Sequence, residues 1–473
     1  MRNFKINTHR NGYLIVAILL FFSSCKKLVE EPKSVITPDN FYSNVTQVQS
    51  AYVAAMNELW DYSKGYGNDM DVFNEDDQIV RGDLNIPEDW GSDIWAAHYS
   101  ALLNINAAIG ALNKGLRGVS QDQIDLLIGQ GKFLRAYNYF MLVRMFGGVP
   151  LITEETPDPF TIRLPRSTAK QVYDQIISDF TDAIAKLPVT RSADDQGLPT
   201  KDAAKGLLAK AYLTMATFPL NEPENYAKAA ELARQVIADA NYSLVPDIMN
   251  LFSVATQYGP EMMWSFNSNA QDPGPNPHIW SDMRGWGDIC AQPEWEKAYP
   301  NQPRKKAFIE TELDGVYYSD LGDYWPGVQK FLYDSPDDFE AGRSLVSMPV
   351  IRFADVLLIF AEADNMANGA PTPEAVDAIN RVIDRANGYV VNAEDPLATL
   401  SMTKEQFDTK VIQERNYELC FEMDRWFDLI RKHILKESSL ESIQQNFTDD
   451  DYLFPIPLHD IRVNPMLEQN SGY

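Results

Sequence analysis

Two stretches of this 473-residue chain bring flat aromatic rings together with short polar side chains, a combination suited to gripping a polyhydroxylated ring. Asp69, Asp71, Asn74, Asp77, Arg81, Trp90 and Trp95 lie in or beside the first stretch. Trp264, Asn267, Trp280, Arg284, Trp286 and Asp288 lie in the second. A sugar ring has an apolar C–H face and a rim of hydroxyls, so a site for it needs indole or phenol platforms beside Asp, Asn, Gln or Arg. From these residues Asp71, Arg81, Trp90, Trp95, Trp280, Arg284 and Trp286 are taken as candidate ligand-binding positions. Core packing is the competing account for each tryptophan. Trp95 opens an apolar helical stripe, and Trp264 sits in a Met-Met-Trp-Ser-Phe run that reads as a short buried strand. Trp280 and Trp286, flanked by polar and glycine residues, are the better platforms. The acidic run Asp69 to Asp77 does not match a calcium loop and reads as solvated surface, so no metal or cofactor is expected.

A different chemistry lies at the N-terminus. Arg2, Lys5 and Arg10 precede an apolar run from Tyr13 to Phe22, too short to cross a bilayer of about 30 Å and followed by Ser23, Ser24 and Cys25. This is the pattern of an export signal over residues 1–24, with Cys25 as the lipid-modified first residue of the mature protein. Lys26, Lys27, Glu30 and Glu31 then form a charged, solvated spacer.

The rest of the chain must position these residues, and it reads as mostly helix. Ala51, Ala54, Ala55, Leu59 and Trp60 recur at helical spacing, as do Trp95, Leu102, Leu103, Ile105, Ile109 and Leu112. Ser120 with Gln123 and Thr403 with Gln406 mark helix starts, the second opening a long helix from Phe407 to His433. Thr372 before Pro373 marks another start, and Gly147, Gly148 and Pro150 mark a stop. Between Thr200 and Pro246, Ala204, Leu208, Ala211 and Tyr212 face Tyr226, Ala229, Ala230, Ala233 and Ile237 across a helix pair of tetratricopeptide length. Several such pairs are expected to stack, since one alone cannot bury its apolar face. Gly65 to Gly91 and roughly Pro260 to Pro349 break the pattern, and loops of that length are usually functional.

Charge narrows the partners. With 41 Lys+Arg against 67 Asp+Glu the formal net charge is -26, which repels phosphate backbones and excludes nucleic acid. Cys290 and Cys420 are far apart in sequence and form no paired motif. His98, His278, His433 and His459 are dispersed, and no zinc spacing, nucleophile elbow or phosphate loop appears.

Five blocks, in order, resemble the SusD/RagB family of outer-membrane nutrient-binding lipoproteins. They are PDNFYS from Pro38, FLRAYNYFMLVRMFGGVPL from Phe133 to Leu151, IRFADVLLIFAEADN from Ile351 to Asn365, ERNYELCFEMDRWFDLIR from Glu414 to Arg431, and FPIPLHDIRVNPMLEQNSGY from Phe454. The chain departs from the family at Gln302, before Pro303 and Arg304, where Asp is frequent, and at Met423, where Gly is frequent. The resemblance implies an all-α protein whose tetratricopeptide-like helix pairs are the scaffold for a loop-rich ligand-binding half, with residues 25–473 as a single SusD-like domain. It also implies a place on the cell surface, lipid-anchored in the outer membrane over a SusC-like TonB-dependent transporter, binding oligosaccharide or another nutrient without cleaving it. The candidate ligand positions come from composition and not from the resemblance. Within the blocks, Glu422 with Arg425 and Asp428 with Arg431 stand three apart and read as buried ion pairs, with Arg135 and Arg144 satisfied by carboxylates or carbonyls nearby. Two rivals remain at this point: a glycoside hydrolase with two carboxylates brought together in space, and a helical protein-binding scaffold.

Overall fold

The computed structural model describes residues 42–63, 90–155, 163–274, 283–286, 289–322, 324–331, 336–438 and 447–473. Helices α1 (Val45–Ser63), α2 (Trp90–Lys114), α3 (Gln121–Phe146), α4 (Ala169–Lys186), α5 (Lys201–Met215) and α6 (Asn225–Asp239) each pack on the next. The stack continues through α7 (Phe353–Asn368), which packs on α6 and carries α8 (Pro373–Ala386) and α9 (Lys404–Glu418). The pair read from Thr200 to Pro246 is thus α5 with α6, one of four successive pairs among the described residues. Ala204, Ala211, Ala229, Ala230 and Ala233 are at most 3% exposed, so the two backbones approach closely.

Local signals place the helix ends. Ser120 Oγ accepts from Gln123 N–H at the start of α3, and full capping boxes open α4 at Thr168 and α9 at Thr403. Thr372 caps α8, with Pro373 as its first residue. Gly147, at φ 73°, ends α3 in a conformation that disfavours a β-carbon.

The helix expected from Phe407 to His433 is two helices. It breaks after Glu418 and resumes as α10 (Arg425–Lys432), with Phe421 and Met423 both left-handed at φ 63° and 60°. Distant cations supply the reason. Lys330 Nζ donates to Glu418 O and Cys420 O at 2.9 and 2.8 Å, and Arg352 Nη2 to Glu418 O at 2.6 Å, so side chains take the carbonyls that a continuing helix would use.

Strand β1 (Met262–Phe266) pairs antiparallel with β2 (Met348–Arg352), Trp264 opposite Ile351. This ribbon lies against the helices. Trp264 meets Phe133 and Tyr137 edge to face at 4.8 and 5.0 Å, and Phe266 stacks on Trp60 at 5.6 Å. Gly206 on α5 makes the approach possible, since a β-carbon there would sit 2.6 Å from Ile351 Cδ1. Among the described residues from 267 to 347 the chain holds only short helices, such as Pro293–Ala298 and Pro303–Phe308, and two-residue strand pairs, which matches the loop-rich half.

Charges inside the frame are paired. Glu418 accepts from Arg304 Nη1 at 2.8 Å, Arg352 Nη1 at 2.5 Å and Arg385 Nη2 at 2.6 Å, and all four side chains are at most 1% exposed. Glu261, before β1, takes Arg352 and Arg385 at 2.8 Å each, and Glu422 takes Lys330 at 2.6 Å and Arg352 at 2.8 Å. Burial raises Glu418, but Arg385, Arg352 and Arg304 together outweigh it and hold the carboxyl well below the usual range. A second cluster joins α7, α9 and α10. Asp428 accepts from Arg415 Nε at 2.7 Å and Arg431 Nε at 2.9 Å, while Arg431 forks onto Glu362 at 2.5 and 2.6 Å. The expected pair of Asp428 with Arg431 is therefore present. Glu422, placed with Arg425 on sequence spacing, lies in the turn before α10 and faces Lys330 and Arg352. Arg135 forks onto Asp179 at 2.7 Å, and Arg144 is sandwiched between the rings of Phe140 and Phe427 at 4.0 and 3.8 Å.

The C-terminal segment is docked as its rigid prolines suggested. Asn470 Nδ2 donates to Phe454 O at 2.7 Å, and Tyr473 Oη to Leu453 O at 2.9 Å.

Candidate functional site

Two of the candidate ligand residues are exposed. Trp286 is 67% exposed and Arg284 is also exposed, its guanidinium 4.9 Å from the centre of the Phe339 ring. Met283 N–H donates to Glu310 Oε2 at 2.9 Å. These two contacts pin the segment between the strand pair at Ile309–Glu310 and the short helix Pro336–Glu340, so the indole is held out to solvent. An exposed flat ring with a cation two residues away can stack on the C–H face of a sugar and donate to its hydroxyls.

Trp95 is corrected by its surroundings. It is 4% exposed and packs on Tyr99 at 4.8 Å and Phe146 at 5.1 Å. The ring faces inward because it begins the apolar stripe of α2, and it presents no platform to a ligand. Trp264 is likewise core, as its sequence context indicated. Trp90 is the first residue of α2, and its side chain lies outside the described residues, as do Asp71, Arg81, Trp280 and Cys25, together with Asp69, Asn74, Asp77 and Asp288.

Asn267 belongs to a feature that sequence reading missed. A cleft of 310 Å³ is walled by residues 189–200 between α4 and α5, by Asn241 and Tyr242 after α6, and by residues 257–267 leading into β1. Arg191 enters this cleft. Its Nε and Nη2 donate to Pro199 O at 3.1 and 2.5 Å, and burial lowers its affinity for its proton. Tyr258 is 41% exposed at the cleft, and Tyr242 Oη bonds Thr200 Oγ1 at 2.9 Å. Burial raises both tyrosines. Three segments that are far apart in sequence make these walls, and none carries a local motif that could have announced them.

A family model described as "Starch-binding associating with outer membrane" matches residues 28–213, and a "SusD family" model matches residues 318–473. The chain is 28% identical to SusD-like protein P2 of Formosa agariphila over 100% of both chains. Among solved structures, a SusD superfamily protein of Parabacteroides distasonis superposes with a TM-score of 0.76 at 23% identity, covering 91% of this chain and 100% of that one. Surface glycan-binding protein A of Bacteroides uniformis superposes with a TM-score of 0.73 at 23% identity, covering 90% and 99%.

Proposed function

Because the chain belongs to the SusD/RagB family of outer-membrane-associated carbohydrate-binding proteins, we propose that it captures an oligosaccharide at the cell surface and passes it intact to a SusC-like TonB-dependent transporter. The observation that carries this reading is the exposed indole of Trp286 on a segment fixed by Arg284 over Phe339 and by Met283 on Glu310. A rigid platform loses little entropy on binding, which favours retention of cargo over induced closure. The structural neighbour named as a surface glycan-binding protein supports the same ligand class.

Incubation with labelled oligosaccharides should show retention with no shortened product, and product would overturn the reading. Replacing Trp286 with Ala should weaken retention about 2- to 12-fold, the equivalent of about 0.5–1.5 kcal/mol for one aromatic contact, and leave the melting temperature unchanged because the ring lies outside the core. Undiminished retention would remove Trp286 from the site.

Attachment is assigned to lipid on Cys25. No helix among the described residues is long and apolar enough to cross a membrane. A multiply acylated cysteine gives durable anchoring where one chain would be marginal. Cys25→Ala should move the protein from the membrane fraction to the soluble one, and persistent sedimentation with membranes would disprove the assignment.

A further inference from the structure

We propose that the 310 Å³ cleft beside Arg191 is a second binding site, distinct from the Trp286 surface, for a single sugar ring bearing a carboxylate. Its volume is at the small end of the range of about 300–1,000 Å³ spanned by ligand sites, which suits one ring and not a chain.

Charge selects the anion. The formal net charge of the protein is -26, yet among the described residues no Asp or Glu lines this cleft. Arg135, Arg304, Arg352, Arg385, Arg415 and Arg431 each meet a carboxylate. Arg191 is half-buried and meets the Pro199 carbonyl, with no carboxylate of the described residues within ion-pair distance. Asp195 acts on it from beyond that distance and accepts from Ser192 Oγ at 2.9 Å. Asp202, on the first turn of α5, is already matched by Lys205 at 3.2 Å and Asn241 Nδ2 at 2.8 Å. A guanidinium partly withdrawn from water with its charge uncancelled is costly, and an incoming carboxylate relieves that cost. Thr200, the N-cap of α5, also lines the cleft, so the positive end of a 15-residue helix adds to the same field.

The remaining lining suits a polyol. Gln257 and Tyr258 can bond ring hydroxyls, and Met262 with Pro260 offers an apolar floor for a C–H face. Asn267 also lines the cleft, and its buried Oδ1 lacks a donor.

Calorimetric titration of the folded protein lacking residues 1–25 with D-glucuronate, D-glucose and inorganic sulfate tests the assignment. Glucuronate should bind saturably and at least about tenfold more tightly than either of the others, about 1.4 kcal/mol. Arg191→Met should abolish the preference for glucuronate over glucose, and Tyr258→Ala, at an exposed position, should weaken glucuronate several-fold without lowering the melting temperature. Trp286→Ala should leave glucuronate binding intact, which separates this site from oligosaccharide retention. Absence of glucuronate binding, equal binding of glucose or of sulfate, or full binding by a folded Tyr258→Ala and a folded Arg191→Met would each overturn the proposal. If Arg191→Met fails to fold, the Tyr258→Ala titration and the glucose comparison still decide it.

Discussion

Replacing Glu418 with Gln is expected to cost about 3–5 kcal/mol of folding stability, the loss typical of removing one partner from a buried charge cluster. Gln nearly preserves the volume, so the effect isolates the charge. Arg304, Arg352 and Arg385 all converge on this carboxylate with at most 1% exposure, and none can reach water when it is gone. The loss lies toward the upper end of that range because three buried guanidinium groups lose a shared carboxylate at once. Urea unfolding should show a lower midpoint at an unchanged slope. The exposed pair Lys170 with Asp174, at 2.5 Å on the surface of α4, is the control: Asp174→Asn should change stability by no more than about 0.5 kcal/mol. A Glu418→Gln cost below about 1 kcal/mol would mean that the cluster is neutral to folding.

Glu414 is expected to make stability fall with rising pH. Burial raises its pKa, Arg304 pulls it back, and Asp395 beside it pushes it up again, with a net value of about 7. Arg304 is shared among Glu414, Glu418 and Asp395, which weakens its hold on the Glu414 carboxylate. In the unfolded chain the same group titrates near 4.5, so between the two values the folded protein holds a proton that the unfolded one has released. Its contribution is full below pH 4.5 and is lost as pH rises through 7, a change of about 3 kcal/mol at 1.36 kcal/mol per unit. Glu418 and Asp428 have the opposite sign. Both sit below the usual range in the fold, so what they add is present above the ordinary carboxylate pKa and is lost as the medium becomes strongly acidic. Subtracting the profile of Glu414→Gln from that of the native protein removes these common terms. The difference should slope between pH 5 and 8, and parallel profiles would show that Glu414 carries no proton there.

Local chemistry made much of the frame legible. Thr403 with Gln406 and Thr372 with Pro373 mark their helix starts because a capping side chain acts within four residues of itself. The alanines of α5 and α6 gave the close pair for the same reason, since small residues at helical spacing leave only one face to pack. The break between α9 and α10 was not legible. Met423 takes a left-handed conformation that a glycine would adopt freely, and the carbonyls of Cys420 and Glu418 just before it are taken by Lys330 and Arg352, each dozens of residues away. Gln302 shows the same limit. Once its amide is oriented to suit its neighbours, it donates to Asn387 Oδ1 at 2.6 Å and accepts from Arg304 Nη2 at 2.9 Å, contacts that a local reading cannot supply. Flanking glycine and polar residues pointed correctly to the exposure of Trp286, while Trp95 carried both an aromatic ring and an apolar stripe, and the stripe prevailed. The cleft at Arg191 is assembled from three distant segments, so only tertiary structure reveals it.

The helical stack carries a thermodynamic licence for divergence. Ser63 and Trp90 end two helices that are fixed by their own packing, so the residues joining them need only close a gap. The entropy of closing such a gap grows with the logarithm of its length, and doubling the segment costs only about 0.6 kcal/mol. A segment of different length or sequence can therefore be inserted between α1 and α2 with little penalty while the helices on either side keep their packing.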